Sequence, residues 1–244
     1  MKFRILTLFP ETIKPYLDSS IIGRAQSAGI IQIEYFNIRD YSKDKHKRVD
    51  DTPYGGGFGM VMAPQPLYDC FKASQSGLSG KTLKIYMSPK GKLFNHETAA
   101  RLKEYDNLII LSGHYEGVDQ RVLDEFIDEE ISVGDYVLTG GELPSAIVVD
   151  AVSRLIDGVL PDSECYENES IASGLLEYPQ YTKPAVFEGK EVPEVIRNGD
   201  HAQIKKWQRK MSLRYTFYNR PDLLKKTNLS KDDILYLEYL KNKK

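Results

Sequence analysis

Residues 108–117 read LIILSGHYEG, an apolar run too short for a helix that passes at once into a glycine-flanked polar loop. The same pattern recurs on either side. LKIYM at 83–87 leads into Ser88-Pro89-Lys90-Gly91-Lys92, and a short run at 131–133 opens the loop in SVGDYVLTGGELP, residues 132–144. Two further apolar runs, at 3–9 and 31–36, complete a set of strand candidates. Amphipathic stretches at 64–73, 96–104, 118–127 and 144–156 read as helices. In the last of these Pro144 opens the helix, Val148, Ala151, Val152 and Leu155 form its apolar face, and Gly158 closes it. Such alternation predicts an α/β domain on a mainly parallel sheet covered on both faces. In an open sheet of this kind ligands bind beyond the carboxyl ends of the strands, where glycines let the backbone approach a ligand closely. One loop of this kind is ordinary strand-to-helix punctuation. Three in succession point to a small-molecule pocket, and the absence of a G-x-G-x-x-G pattern removes the usual dinucleotide fingerprint.

The whole chain has 244 residues, 41% hydrophobic and 28% charged, which excludes a disordered tail, a collagen or a disulfide miniprotein. Its net charge of -2 conceals an asymmetry: residues 201–244 carry 12 Lys/Arg against 4 Asp/Glu, a local +8, and the remainder is -10. A basic module follows an acidic body. Two cysteines, no signal-peptide core and no apolar run near the ~20 residues of a membrane span give the expectation of a cytoplasmic protein. Between residues 161 and 174 the sequence PDSECYENESIASG loses periodicity, as a linker does. The expected division is therefore a body at 1–160, a flexible linker at 161–174 and a helical module at 175–244. That module carries one helix with Ile204, Trp207 and Met211 on one side and another capped at Ser230.

Other features have plainer readings. Gly80-Lys81-Thr82 resembles the end of a phosphate loop, but Gln75 stands where the first glycine belongs and Thr82 leads into a strand. The four histidines and two cysteines have no metal-ligand spacing, so no structural zinc is expected. Arg154 has Asp150 and Asp157 at ion-pair spacing on a helix, which by itself suggests only a surface pair. The glycine-rich stretch 54–59 follows a basic run at 43–48 and suits a phosphate-bearing ligand, with Tyr54 and Phe58 as aromatics that a bare surface loop leaves unexplained.

VDDTPYGGGFGM at 49–60, SGHYEGVDQRV at 112–122, EEISVGDYVLTGGELP at 129–144 and GLLEYPQYTKP at 174–184 together resemble the bacterial tRNA (guanine-N(1)-)-methyltransferase family. The likeness runs from LTLFPE at residues 6–11 through HAQIKKWQRKMSL at 201–213. It implies an α/β domain of the SPOUT class, a mainly parallel sheet with a deep trefoil knot that ordinary topology rules would not supply, followed by a small all-α C-terminal domain. It implies methyl transfer from S-adenosyl-L-methionine to N1 of the guanosine immediately 3′ of the anticodon, with Mg2+ as an accessory ion and a homodimer whose active sites lie at the subunit interface.

By position, the resemblance assigns Tyr86, Ser88, Pro89, Gly113, Tyr115, Val133, Gly134, Asp135, Tyr136, Val137, Leu138, Gly140, Gly141 and Pro144 to the cofactor pocket. Catalysis falls to Arg154 as the cation that stabilises charge on the guanine carbonyl oxygen, Glu169 as the base, and Glu116 as a holder of the target base or of magnesium. The family usually has Asp where Glu169 stands, and Glu167 is a second carboxylate two residues earlier. Contacts to tRNA fall to His46, Arg48, Asp50, Tyr54, Ser170, His201, Lys206, Arg209 and Ser212, so the basic C-terminal module becomes the tRNA-binding domain.

Overall fold

The computed structural model describes residues 1–162 and 169–243. The chain divides into two compact units, Met1–Ser163 and Glu164–Lys244. The first unit opens with β1 (Lys2–Thr7), α1 (Pro10–Leu17), α2 (Ser20–Ser27) and β2 (Gln32–Asn37), and continues through a small hairpin of β3 (Asp50–Asp51) and β4 (Val61–Met62). It then alternates α3 (Pro64–Gln75), β5 (Thr82–Leu93), α4 (His96–Leu102), β6 (Asn107–Ser112), α5 (Gln120–Phe126), β7 (Glu129–Ser132) and α6 (Glu142–Ser153).

Five strands form one parallel sheet in the order β2-β1-β6-β5-β7. Every residue of β6 is buried, as a central strand covered on both faces requires. Successive side chains point to opposite faces. Ile109 and Leu111 join the core under α3 and α5, where Phe71 and Phe126 stack 4.9 Å apart. The other face is covered by α6, which packs against α1 and α4 and buries Val148, Val149 and Val152.

The α/β alternation and the parallel sheet match the sequence expectation, with instructive local differences. Helices α1 and α2 were not anticipated; each is eight residues long with only two buried side chains, too few for a clear periodic signal. The segment 88–92 is not a loop that ends a strand. β5 continues to Leu93, and because Met87 and Lys92 both oppose Ile131, residues 88–91 are extruded from the ladder. α5 starts at Gln120 rather than 118, because Asp119 caps it by accepting the Arg121 amide at 3.0 Å while Val118 bridges to Met62. α6 starts two residues before Pro144, with Gly141 at its N-cap, and ends at Ser153, so Gly158 belongs to the turn beyond. Gly80-Lys81-Thr82 forms a turn entering β5, where the Lys81 amide donates to the Asp106 carboxylate at 2.6 Å.

The second unit has α7 (His201–Asn219) and α8 (Lys231–Asn242), preceded by a two-residue hairpin of β8 (Val186–Phe187) and β9 (Lys190–Glu191). Its small core is Leu175, Leu213, Leu237 and Leu240. Asp200 caps α7, and Ser230 and Asp233 form a reciprocal capping box on α8 at the position expected from sequence. Ile204, Trp207 and Met211 are only half-buried; Ser212, Leu213 and Thr216 form the buried face of α7.

Candidate active site

A cavity of about 390 Å³ opens at the extruded turn within β5 and the carboxyl ends of β6 and β7, within the usual size of a small-molecule site. The extruded part of β5 supplies Ser88, Pro89 and Lys90, with Tyr86 just before it. The loop after β6 supplies Gly113, His114, Tyr115 and Glu116. The connection from β7 to α6 supplies Val133, Gly134, Tyr136, Val137, Leu138, Gly140 and Gly141, and Pro144 follows in the first turn of α6. The three glycine-bearing segments thus share one cavity. Asp135 is exposed and does not line it.

Backbone contacts tie these walls together. The Gly141 amide donates to the Gly113 carbonyl at 2.8 Å, and a Cβ at Gly141 would lie 2.6 Å from the Ser112 Cα, so only glycine allows the two loops to meet. A buried polar relay reinforces the junction. The Glu142 carboxylate accepts from His114 Nε2 at 2.7 Å and from the Thr7 hydroxyl, joining α6, the loop after β6 and the end of β1. Phe9 packs its edge against His114 with centroids 4.9 Å apart. Sequence reasoning did not single out His114, Glu142 or Thr7; the first two lay inside motifs that were read for their glycines. Burial, with the Glu130 charge added, pushes the Tyr86 phenol upward, so it remains a neutral group in the wall.

The β3-β4 hairpin abuts the same wall. The Glu116 amide donates to the Met60 carbonyl at 3.0 Å, the Met62 amide donates to the Gly117 carbonyl at 2.9 Å, and Gly59 sits against the Glu116 side chain. Tyr54 and Phe58 at its tip are fully exposed.

Residues 1–226 match the family described as tRNA (Guanine-1)-methyltransferase TrmD. A tRNA (guanine-N(1)-)-methyltransferase of Alkaliphilus oremlandii is 53% identical over 249 residues, covering 100% of both chains. Proteins of the same description from Ruminiclostridium cellulolyticum and Clostridioides difficile are 55% and 50% identical, over 93% of this chain and 97% and 99% of theirs. The chain belongs to the tRNA (guanine-1)-methyltransferase family.

Within this family member, the remaining candidate residues divide between the two units. Arg154 is half-buried at the C-cap of α6 in the first, and its amide donates to the Asp150 carbonyl at 3.1 Å. The Asp150 carboxylate accepts from the Tyr16 hydroxyl at 2.6 Å. Glu169 is half-buried in the second unit, at a turn where its carbonyl accepts from the Ser173 amide at 3.3 Å. Glu167 and Cys165 lie outside the described residues. In the basic run His46 and Arg48 are exposed; Arg48 pairs with Asp44 at 2.9 Å, and the Asp44 carboxyl is held well below its ordinary value, mainly by that hydrogen bond. Asp50 is half-buried in β3.

In the family member's second unit, Ser170 accepts the Glu177 amide at 2.9 Å, and His201 and Lys206 are exposed on α7. Arg209 instead reaches across to Asp233 on α8 at 2.9 Å, and Ser212 is buried. Among the described residues no group of three or more His, Cys, Asp or Glu is arranged to hold a metal ion, and no helix is long and apolar enough to cross a membrane.

Proposed function

We propose that the protein transfers a methyl group from S-adenosylmethionine to N1 of the guanosine immediately 3′ of the anticodon in tRNA, with the cavity of the first unit as the cofactor pocket. The observation that carries this reading is the convergence of all three family loops on one cavity whose walls are shaped by absent side chains at Gly140 and Gly141. These residues fit the cofactor: Gly140 and Gly141 let their segment close against His114 and the Ser112-Gly113 backbone and complete the wall, and Glu130 adds a residue with a buried carboxylate oxygen that has no partner among the described residues.

The bound cofactor supplies an electrophilic methyl group on a sulfonium. The chain's own task is to prepare the guanine. N1 carries a proton at neutral pH, so a base must remove it, and charge that shifts to the adjacent carbonyl oxygen needs a cation. We assign the first role to Glu169 and the second to Arg154. Both act on atoms of the target base, and holding that base beside the methyl group accounts for much of the rate. Glu116, at the rim beside the β3-β4 hairpin, would hold the base or take one position on a magnesium ion, whose other ligands would be water and phosphate oxygens.

A basic second unit suits tRNA, with His201 and Lys206 exposed on α7 and assistance from His46, Arg48 and Tyr54. The reading includes a homodimer. Its support is an exposed apolar surface beside the cavity: Val137 is 81% exposed, Leu143 60% and Ile147 37%, unusual for apolar side chains on or next to a core helix. A trefoil knot in the first unit and a cytoplasmic location complete the proposal.

Incubation with labelled S-adenosylmethionine, magnesium and a tRNA transcript tests the reading. Label should enter a transcript with guanosine 3′ of the anticodon and not one with adenosine there; equal or absent incorporation refutes it.

A further inference from the structure

Glu130 has no role in the chemistry above, yet the fold places it with care. It lies on β7 in register with Tyr86 on β5, and both line the cavity. The extruded segment of β5 is pressed against its backbone: a Cβ at Gly91 would lie 2.4 Å from the Glu130 carbonyl carbon and from the Ile131 amide nitrogen. The backbone that carries Glu130 is therefore packed directly against the main chain of β5. Its neighbour Glu129 is paired with Arg101 at 2.7 Å, whereas Glu130 Oε2 is buried with no hydrogen-bond partner among the described residues.

An acceptor of this kind left unmade destabilises the fold, more so when it is charged. A ligand that brings an N–H to the same place recovers that cost on binding. We propose that Glu130 is a specificity-determining residue of the cofactor pocket, accepting a hydrogen bond from an amino group of the bound cofactor. The proposal rests on the methyl-donor reading and adds to it a residue that selects for an amine. S-adenosylmethionine carries two amino groups, the exocyclic amine of adenine and the α-ammonium of the amino-acid moiety. Its sulfonium bears no N–H, and a carboxylate directed there would stabilise the charged donor more than the neutral thioether product and so oppose transfer.

Calorimetric titration of the full chain with S-adenosylhomocysteine tests this, comparing wild type with Glu130→Gln and Glu130→Leu. Each variant should lose roughly 10-fold or more in affinity, the value of a hydrogen bond to a charged group. The melting temperature of the unliganded Glu130→Leu protein should stay level or rise, since the orphaned acceptor is gone; a merely structural carboxylate would lower it. S-inosylhomocysteine lacks the exocyclic amine and 5′-methylthioadenosine lacks the α-ammonium, so the penalty should vanish for the analogue missing the group that Glu130 meets. Affinities within twofold of wild type in both variants overturn the proposal, as does a penalty that persists undiminished with both analogues. Absence of S-adenosylhomocysteine binding by the wild type would refute the methyl-donor reading itself, and this inference with it.

Discussion

Gly141→Ala isolates the close approach on which the cavity depends. Gly141 has φ -83° and ψ -2°, a conformation open to alanine, so the substitution introduces no backbone strain of its own. The added methyl carbon would lie 2.6 Å from the Ser112 Cα and 2.7 Å from the Gly113 nitrogen, both main-chain atoms that cannot swing aside. Reaching ordinary contact requires the two backbones to part by roughly 0.8 Å, which exceeds the ~0.5 Å tolerance of a preorganised site. The 2.8 Å hydrogen bond from Gly141 to Gly113 would be lost with it. Overpacking of this kind costs about 1–3 kcal/mol, and for a chain of this size the melting temperature should fall by roughly 3–10 °C.

Affinity for S-adenosylhomocysteine by calorimetry should drop on the order of 10- to 100-fold, because two of the three walls are displaced. Gly77→Ala is the control: Gly77 has φ +70° with nothing within 4 Å, so it should cost about 1–2 kcal/mol of stability and leave affinity unchanged. A Gly141→Ala protein that binds with wild-type affinity would refute the claim that the three loops form one cofactor pocket.

Three further outcomes are expected. Arg154→Ala should slow single-turnover methyl transfer by a factor on the order of 100 or more with S-adenosylhomocysteine affinity nearly kept, whereas a surface ion pair would leave the rate unchanged. Glu169→Gln should reduce the same rate by about 100-fold or more and Glu167→Gln far less; equal effects would remove the assignment of the base. Burial pushes the Asp233 carboxyl up, but hydrogen bonds from Arg209 and Ser230 outweigh it and the net shift is downward. Its contribution to stability is therefore complete above the unfolded carboxylate value of about 3.9 and is lost as pH falls through the lower folded value. Acid unfolding of the second unit followed by circular dichroism should become shallower in Asp233→Asn, and an unchanged acid limb would contradict this sign.

The sheet was legible because its strands are short apolar runs with buried faces, and the cavity because glycines follow three of those runs. Periodicity carries no information about what extrudes residues 88–91, since that depends on Gly91 meeting the backbone of a strand some forty residues later. The relay of Thr7, His114 and Glu142 was equally hidden: its members lie 28 and 135 residues apart, and a histidine or glutamate inside a glycine-rich motif has no spacing that betrays a partner. Glu129 and Glu130 are indistinguishable as a sequence pair; the ion pair of Glu129 with Arg101 and the register of Glu130 against Tyr86 separate them only in the fold. The cap at Ser230 is legible in the sequence, whereas the bond from Arg209 to the capping-box Asp233 depends on the packing of α7 on α8. Arg154 shows only ion-pair spacing and Glu169 lies in an aperiodic segment, so the roles proposed for them rest on the resemblance and not on local pattern.

The position of the transferred methyl group is the most direct test. A tRNA transcript with guanosine 3′ of the anticodon, reacted to a single turnover and digested for mass spectrometry, should yield 1-methylguanosine in the anticodon-loop fragment and no other methylated nucleoside. Methyl on another atom or another nucleotide, or an unmodified transcript in the presence of cofactor and magnesium, would contradict the account.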